Sequence, residues 1–305
     1  MNILVTGGAG FIGSHVVDYF IKEGHRVVVV DDLSMGNKKN VNKAAKFYRA
    51  DIRDRKIDRI IKKEKINIID HHAAQISVPD SVKDPYADAD INIKGTMNLL
   101  GAACRHNVKK VIFVSSGGTV YGTPKKFPVS ERQPLSPENP YGISKVAGEA
   151  YVKFFAGHCG MDYTVLRYSN VYGPRQIPHG EAGVVSIFIE RILKNLRPVI
   201  FGGGACVRDY VYVEDAARAN VLALKKGGLN EFNIGTGIPT NVNRLYRVIQ
   251  KVTGFKKNAL KGPFRKGDIL KNYLDAKKAR RILKWKPETG IEEGIRKTYE
   301  YFKER

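Results

Sequence analysis

The chain has 305 residues, 43% of them hydrophobic and 27% charged, with a formal net charge of +22 at pH 7. This length and balance fit one large α/β domain or two intimate ones around a substantial core, and they exclude repeat and low-complexity architectures. No apolar run is long enough to span a bilayer. The three cysteines (Cys104, Cys159, Cys206) are odd in number and lack a C-x-x-C pair, which indicates neither a disulfide framework nor a zinc site and points to a reducing cytoplasm.

The chain opens on a strand, Ile3 to Thr6, rather than on a leader. This strand runs into the glycine string Gly7-Gly8-Ala9-Gly10-Phe11-Ile12-Gly13 and a helical pattern over 11–23. Further strands are expected at Arg26 to Val30, Lys46 to Arg49, Ile66 to His71 and Val108 to Val114, with helices near 54–64 and 86–106. Val27 to Val30 is continuously apolar, as a strand covered on both faces should be. The alternation predicts a Rossmann-type doubly wound parallel sheet with right-handed crossovers.

After residue 123 a proline-bearing loop (Pro124, Pro128, Pro134, Pro137, Pro140) interrupts the pattern. A helix from Tyr141 to His158 and a strand from Asp162 to Arg167 resume it. Loops and short helices dominate 171–201 and 236–275, with strands expected at Tyr210 to Val213 and Glu231 to Ile234. The expected organisation is a dinucleotide-binding domain over 1–170, rejoined by segments of about 205–235. A smaller, discontinuous substrate lobe takes up most of 171–305.

The positive charge is spread along the chain. Its densest groups, Lys62-Lys63-Glu64-Lys65 and Lys277-Lys278-Ala279-Arg280-Arg281, fall in helical patterns that read as solvated faces. Neither a nucleic-acid partner nor a membrane is expected, whereas an anionic small substrate would gain from the field.

The glycine string lies between a strand and a helix, where it permits a tight turn and lets a pyrophosphate sit on the helix N-terminus. Asp31 follows at the end of the second strand, placed to accept from both ribose hydroxyls and to repel a 2′-phosphate, so NAD is the expected cofactor. Asp51-Ile52 follows the third strand, as an adenine contact would. His72-Ala73-Ala74-Gln75 follows the fourth, where small residues let a cofactor cross the sheet edge. Adjacent His71 and His72 point to opposite faces of a strand and read as packing or capping residues rather than metal ligands. Tyr141 and Lys145 are four apart and share a helical face. A nearby ammonium and a positive nicotinamide ring would favour the phenolate of a tyrosine otherwise titrating near 10. The stretch from Val114 to Gly122, VSSGGTVYG, leaves a strand and offers Ser115, Ser116 and Thr119 as hydroxyls facing that pair.

Together VTGGAGFIGSH, DDLSMG, ADIRD, HHAAQ, NIKGTMNLL, SSGGTVYG, NPYGISK, LRYSNVYGPRQ, FGGGACVRDYVYVED, NIGTG and RKGDIL give an end-to-end resemblance to the extended short-chain dehydrogenase/reductases, within them to the UDP-glucose 4-epimerases. The resemblance implies that Gly7, Gly10, Phe11, Ile12, Gly13, the loop Asp31, Asp32, Leu33, Ser34, Met35 and Gly36, then Asp51, Ile52, Ala73, Ala74, Gln75, Asn92, Lys145 and Tyr168 hold NAD. It implies that Asn170, Val184, Val199, Phe201, Arg208, Arg265, Asp268 and Asn272 line the nucleotide-sugar site. Arg208 and Arg265 also suit a diphosphate physically, the rival for Arg208 being an ion pair with Asp209. Tyr141 would take the O4 proton, Ser116 would bridge O4 and phenolate, and Lys145 would steady both ribose and tyrosinate. The 4-keto sugar would then turn over and accept hydride on its other face.

One position departs from the family pattern. The catalytic hydroxyl usually stands four residues before the tyrosine of V-Y-G, which here is Gly117. Relatives with a Gly-Gly pair point to Ser116 instead, with Thr119 as its rival and Ser115 turned into the sheet. Dehydratases and decarboxylases carry acids where this chain has Gly118 and Thr119, which disfavours them. A UDP-glucuronate 4-epimerase and a non-catalytic dinucleotide-binding regulator remain as alternatives. The family further implies a homodimer through a four-helix bundle of the helices near 86–106 and 141–158. At Asn272, four residues after Asp268, relatives restricted to glucose and galactose carry a tyrosine, so room for an N-acetylated sugar is expected.

Overall fold

The computed structural model describes residues 1–178, 183–264 and 269–305. In chain order its elements are β1 (Asn2–Thr6), α1 (Phe11–Lys22), β2 (Arg26–Asp31), β3 (Lys46–Arg49), α2 (Lys56–Glu64), β4 (Ile68–His71), α3 (Val78–Lys83), α4 (Pro85–Ala89), α5 (Gly95–Arg105), β5 (Lys110–Ser116), α6 (Pro140–Cys159) and β6 (Asp162–Tyr168). There follow β7 (Asn170–Tyr172), α7 (Val184–Leu193), β8 (Val199–Phe201), β9 (Val207–Arg208), β10 (Tyr210–Tyr212), α8 (Val213–Ala223), β11 (Asn230–Ile234), β12 (Thr240–Asn241), α9 (Val242–Thr253), β13 (Leu260–Gly262), α10 (Lys277–Ile282) and α11 (Ile291–Lys303).

Seven strands form one parallel sheet in the order β11-β6-β5-β4-β1-β2-β3. Strand order reverses between β1 and β4, and in such sheets the crevice beyond the carboxyl ends at that point receives the ligand. Register brings those ends level: Thr6 stands beside His71, His71 beside Phe113, Ser116 beside Tyr168 and Tyr168 beside Ile234. The motifs that follow β1, β4, β5 and β6 therefore meet along one edge.

Two apolar layers hold the sheet. Val16, Val17 and Phe20 of α1, alanines of α8, and Ala279, Leu283 and Trp285 cover one face. Ile57, Ile60 and Ile61 of α2, Leu99 and Leu100 of α5, and Val152 of α6 cover the other. A third cluster joins Phe188 and Ile189 of α7 to Leu245 and Ile249 of α9 and Ile295 of α11, and is the core of the smaller lobe.

Helix α6, which carries Tyr141 and Lys145, is well bounded. The Asn139 side chain accepts from the Gly142 amide at 2.8 Å, Pro140 occupies the first turn, and Gly160 ends the helix with φ 64°. At Gly148 it presses so closely on β5 that a Cβ would lie 2.5 Å from the Phe113 ring. The absence of a side chain there sets the height of Tyr141 and Lys145 over the sheet.

Three features differ from the sequence reading. The expected helix over 86–106 is present as a continuous helical run from Pro85 to Arg105, but its middle turn, Asp90–Lys94, is π rather than α, and a further short helix, α3, capped by Ser77, precedes it. Cys104 and Cys159 form a disulfide between α5 and α6, with Cα atoms 5.6 Å apart. No local pattern signals it, because the pair is 55 residues apart and is brought together by helix packing. Only Cys206 is free, and the cysteine pattern no longer argues for a reducing compartment. Glu64, expected on a solvated face, is buried; Arg26, Lys46 and the Tyr48 hydroxyl converge on it and hold its carboxyl down to about 2.

Gly148→Ala should lower the unfolding free energy by about 1–3 kcal/mol, because the added methyl meets a rigid ring. Gly157→Ala on the same helix, where a Cβ meets nothing within 4 Å, should instead stabilise by roughly 1 kcal/mol. Denaturant melts of the two variants check this pair of opposite signs.

Candidate active site

The glycine string turns at Gly7, where φ is 68° and a Cβ would lie 2.7 Å from the Ala73 amide nitrogen. Gly13 would likewise drive a Cβ to 2.3 Å from the Gly7 carbonyl. Gly7 is therefore required by close backbone approach between the loops after β1 and β4, and Gly13 by the tight return of α1 onto the turn after β1. No side chain caps the start of α1 and no acidic residue stands in its first turn, so the amides of Phe11, Ile12 and Gly13 face outward as an anion cradle. Asp31 is 7% exposed and accepts from the Ala9 amide at 3.0 Å and the Leu33 amide at 2.8 Å. Burial raises its carboxyl while those two amides oppose the rise. A Cβ on Gly36 would sit 2.6 Å from the Asp31 carboxylate, so the loop of Asp32, Leu33, Ser34 and Met35 closes on it only with glycine there. The donor set fits a dinucleotide with a free ribose diol.

Around the rest of the cleft, Asp51 is clasped by Arg53, whose Nη2 lies 2.6 Å from the carboxylate and which also pairs with Asp90. Ile52 is buried below, against Gly95. Past Ala73 and Ala74, the Gln75 amide donates to Asn92 Oδ1 at 2.8 Å, and Asn92 Nδ2 reaches Ser144 Oγ at 3.1 Å. His71 is fixed between the hydroxyls of Thr6 (2.7 Å) and Thr96 (3.0 Å), and burial pushes it down to about 3. His72 Nε2 faces buried Asp70 at 2.9 Å. Among the described residues no cluster of three or more His, Cys, Asp or Glu is placed to hold a metal ion. Tyr168 is buried, and its hydroxyl accepts from Asn220 at 2.5 Å inside the core rather than facing the cleft.

Ser116, Tyr141 and Lys145 come together at the carboxyl end of β5. The Ser116 hydroxyl hydrogen-bonds the Tyr141 phenol, which burial raises to about 12. Lys145 Nζ donates to the Val114 carbonyl at 3.0 Å and lies 5.3 Å from the Phe113 ring centre and 5.8 Å from that of Tyr141. Burial brings its ammonium down to about 8, against the pull of Asp88 and Glu149. Ser115 points the other way and donates to Glu149 at 2.6 Å. Thr119 has a buried hydroxyl with no hydrogen-bond partner.

The structure accounts for the departure at Gly117. A Cβ there would lie 2.5 Å from a Leu274 methyl, so a side chain at this position requires buried Leu274 to move. Asn272 secures the same turn: it is buried, and its Nδ2 donates to the Gly117 carbonyl at 3.1 Å and the Gly118 carbonyl at 3.4 Å. Tyr273 faces away and stacks on Phe127.

In the smaller lobe Asn170 is exposed on β7, Val184 begins α7, and Val199 and Phe201 bound β8. Arg208 donates to its neighbour's carbonyl, Val207 O, at 3.0 Å. It is not spoken for by Asp209, whose carboxylate is buried and receives Thr236, Gly237 and Leu274. Arg265 and Asp268 lie outside the described residues.

Sequence reasoning passed over a buried network behind the site. Glu149 and Arg167 form a bidentate pair (2.9 and 2.5 Å), and Arg167 Nη1 also reaches the Tyr121 hydroxyl at 2.9 Å. It also passed over Asp88, 1% exposed, which accepts from Gln75 Nε2 at 3.0 Å and Asn92 Nδ2 at 3.1 Å. Spacing held a signal for both. Glu149 is a further four residues beyond Lys145, and Asp88 stands four before Asn92.

Residues 3–235 match the model of the family described as NAD dependent epimerase/dehydratase. The chain is 44% identical over 311 residues to the UDP-glucose 4-epimerase of Mycolicibacterium smegmatis, covering 100% of this chain and 99% of that one. A crystal structure of UDP-glucose 4-epimerase from Thermotoga maritima, with UDP-glucose, is 51% identical with a TM-score of 0.98, covering 100% and 99% of the two chains. A UDP-N-acetylglucosamine 4-epimerase from Methanobrevibacter ruminantium, in complex with UDP-N-acetylmuramic acid, is 36% identical with a TM-score of 0.94, covering 99% and 97%. With the glycine cradle, Asp31 and the Tyr141–Lys145 pair on one sheet edge, these matches place the chain in the NAD-dependent epimerase/dehydratase family.

Proposed function

We propose that the protein interconverts the C4 epimers of a UDP-hexose, UDP-glucose and UDP-galactose first among them. The observation that carries this reading is the hydrogen bond between Ser116 and the Tyr141 phenol, with the Lys145 ammonium near the phenol ring, at the mouth of the dinucleotide cradle. When bound by these residues, NAD would supply the hydride acceptor and donor that chemistry at sugar C4 requires.

The chain's own groups do the rest. Tyr141 takes the O4 proton through a hydrogen bond shared with Ser116, and the Lys145 charge offsets the phenolate. The amides at the start of α1 hold the pyrophosphate and the carboxylate of Asp31 holds the ribose diol of the dinucleotide. Arg208 offers a cation to the sugar-nucleotide diphosphate. Asn170, Val184, Val199 and Phe201 line the path of the nucleotide.

The reading extends to N-acetylated sugars. Asn272 is smaller than tyrosine, and its Nδ2 is committed to Gly117 and Gly118, which leaves Oδ1 for an acetamido N–H. The N-acetylglucosamine epimerase among the structural relatives supports the extension.

A homodimer belongs to the same proposal. Helix α6 leaves Ile143 and Phe154 exposed at 53% and 61%, and Phe154 packs edge-on against Phe155, an apolar surface that a second copy of α5 and α6 would cover. No helix among the described residues is long and apolar enough to cross a membrane. The cytoplasm stays the proposed location on the strength of the NAD-dependent reading, the Cys104–Cys159 bridge lending it no support.

Tyr141→Phe should cut turnover of UDP-galactose by about 10²–10⁴-fold with an unchanged melt, and Ser116→Ala should cost more than Thr119→Ala. The reverse order of the two alanines would move the bridging role to Thr119. Asn272→Tyr should lower kcat/KM for UDP-N-acetylglucosamine by about tenfold or more relative to UDP-glucose, a ratio that competition assays read directly. Light scattering at assay concentration should give the mass of two chains, and a single-chain mass would end the dimer proposal.

A further inference from the structure

Asp88 belongs to no motif, yet it sits at the junction of the cofactor loop and the catalytic helix. It lies in α4, just before the π turn that carries Asn92, and its carboxylate is 1% exposed. Gln75 Nε2 and Asn92 Nδ2 donate to one oxygen at 3.0 and 3.1 Å, and the Ser144 side chain is a further neighbour of the carboxylate. Ser144 stands between Tyr141 and Lys145 on α6 and donates to the Tyr141 carbonyl at 2.9 Å. A buried carboxylate held by two neutral amide donors keeps its charge only if a cation is near, and the cation it faces is Lys145.

We propose that Asp88 is a positioning residue whose buried carboxylate sets the working pH of the Tyr141–Lys145 pair while it ties the cofactor loop to α6. This rests on the epimerase reading for the identity of the reaction but not for the electrostatics. The charged and titratable groups around the pair are few. Lys145 faces Asp88 from α4, Glu149 from its own helix and His71 from β4, with the Val114 carbonyl and Phe113 ring of β5 below. Tyr141 faces Ser116, Asp88 and Lys145. His71 is neutral, and Glu149 is neutralised by its bidentate contact with Arg167. Asp88 is thus the carboxylate near the pair without a cation of its own other than Lys145.

The sign follows. A negative charge beside two coupled groups makes each proton harder to lose, so it raises both macroscopic titrations of the pair. The active form needs one proton removed from the tyrosine–ammonium pair and the other retained, which gives a bell in kcat against pH. Removing the carboxylate should move the acid limb and the alkaline limb in the same direction, toward lower pH. A loosened active site would lower the bell without sliding it.

The test is the pH profile of kcat for UDP-galactose with the intact holoenzyme and with Asp88→Asn, alongside an ultraviolet tyrosinate difference titration of each against its Tyr141→Phe counterpart. Both limbs, and the Tyr141 titration, should shift down by about one pH unit, the scale of a neighbouring carboxylate in a medium of effective dielectric about 20. Asp88→Glu should restore the wild-type position. Asp88→Ser, smaller and equally uncharged, carries the same expectation as Asp88→Asn should the latter not fold. A bell that falls in height at an unchanged position, or a Tyr141 titration that does not move, overturns the proposal. The titration requires no turnover, so failure of the epimerase reading and failure of this one are seen in separate measurements.

Discussion

Burying Glu149 and Arg167 together takes two charges out of water, a cost that only good geometry and further hydrogen bonds can offset. Both conditions are met: the contact is bidentate, Ser115 gives Glu149 another donor, and Tyr121 accepts from Arg167 and passes the chain on to Asn233 at 2.8 Å. The participants come from α6, β6, β5, the loop after β5 and β11. Ser115 points into this network, and strand alternation therefore turns Ser116 out toward Tyr141. The orientation of the Ser116 hydroxyl is set from behind, by a buried ion pair on the other face of the strand.

The site itself works against the charges that the chemistry needs. Burial lifts Tyr141 to about 12 and lowers Lys145 to about 8, so each group is pushed toward its neutral form. Two groups in this state serve proton transfer only when local positive charge favours the phenolate and local negative charge favours the ammonium. A dry site makes both kinds of neighbour count for more than they would in water. The arrangement is a poised one, with its balance set by a handful of side chains.

Much of this was legible in the residues. Period and glycine spacing gave the doubly wound sheet, because a parallel strand buried on both faces leaves an apolar run that little else produces. Tyr141 and Lys145 were legible because helical spacing puts them on one face. Ser116 could be ranked above Thr119 only by likeness to relatives; what would crowd a side chain at Gly117 is Leu274, 157 positions away, which no local pattern reveals. The Cys104–Cys159 bridge and the inward turn of Glu64 escaped for the same reason, since both depend on which helix lies over which strand. Asp88 escaped because a lone acid in a short helix looks like surface until its burial is known.

The disulfide has a topological consequence. It ties α5 to α6 across 55 residues of sequence, and Ser116, Thr119, Tyr141 and Lys145 all lie within the ring it closes. The proline-bearing loop between Thr123 and Asn139 belongs to the same ring. A backbone cut anywhere in that loop would part the chain without parting the molecule, and the side chains that meet at the end of β5 would stay on one covalent body.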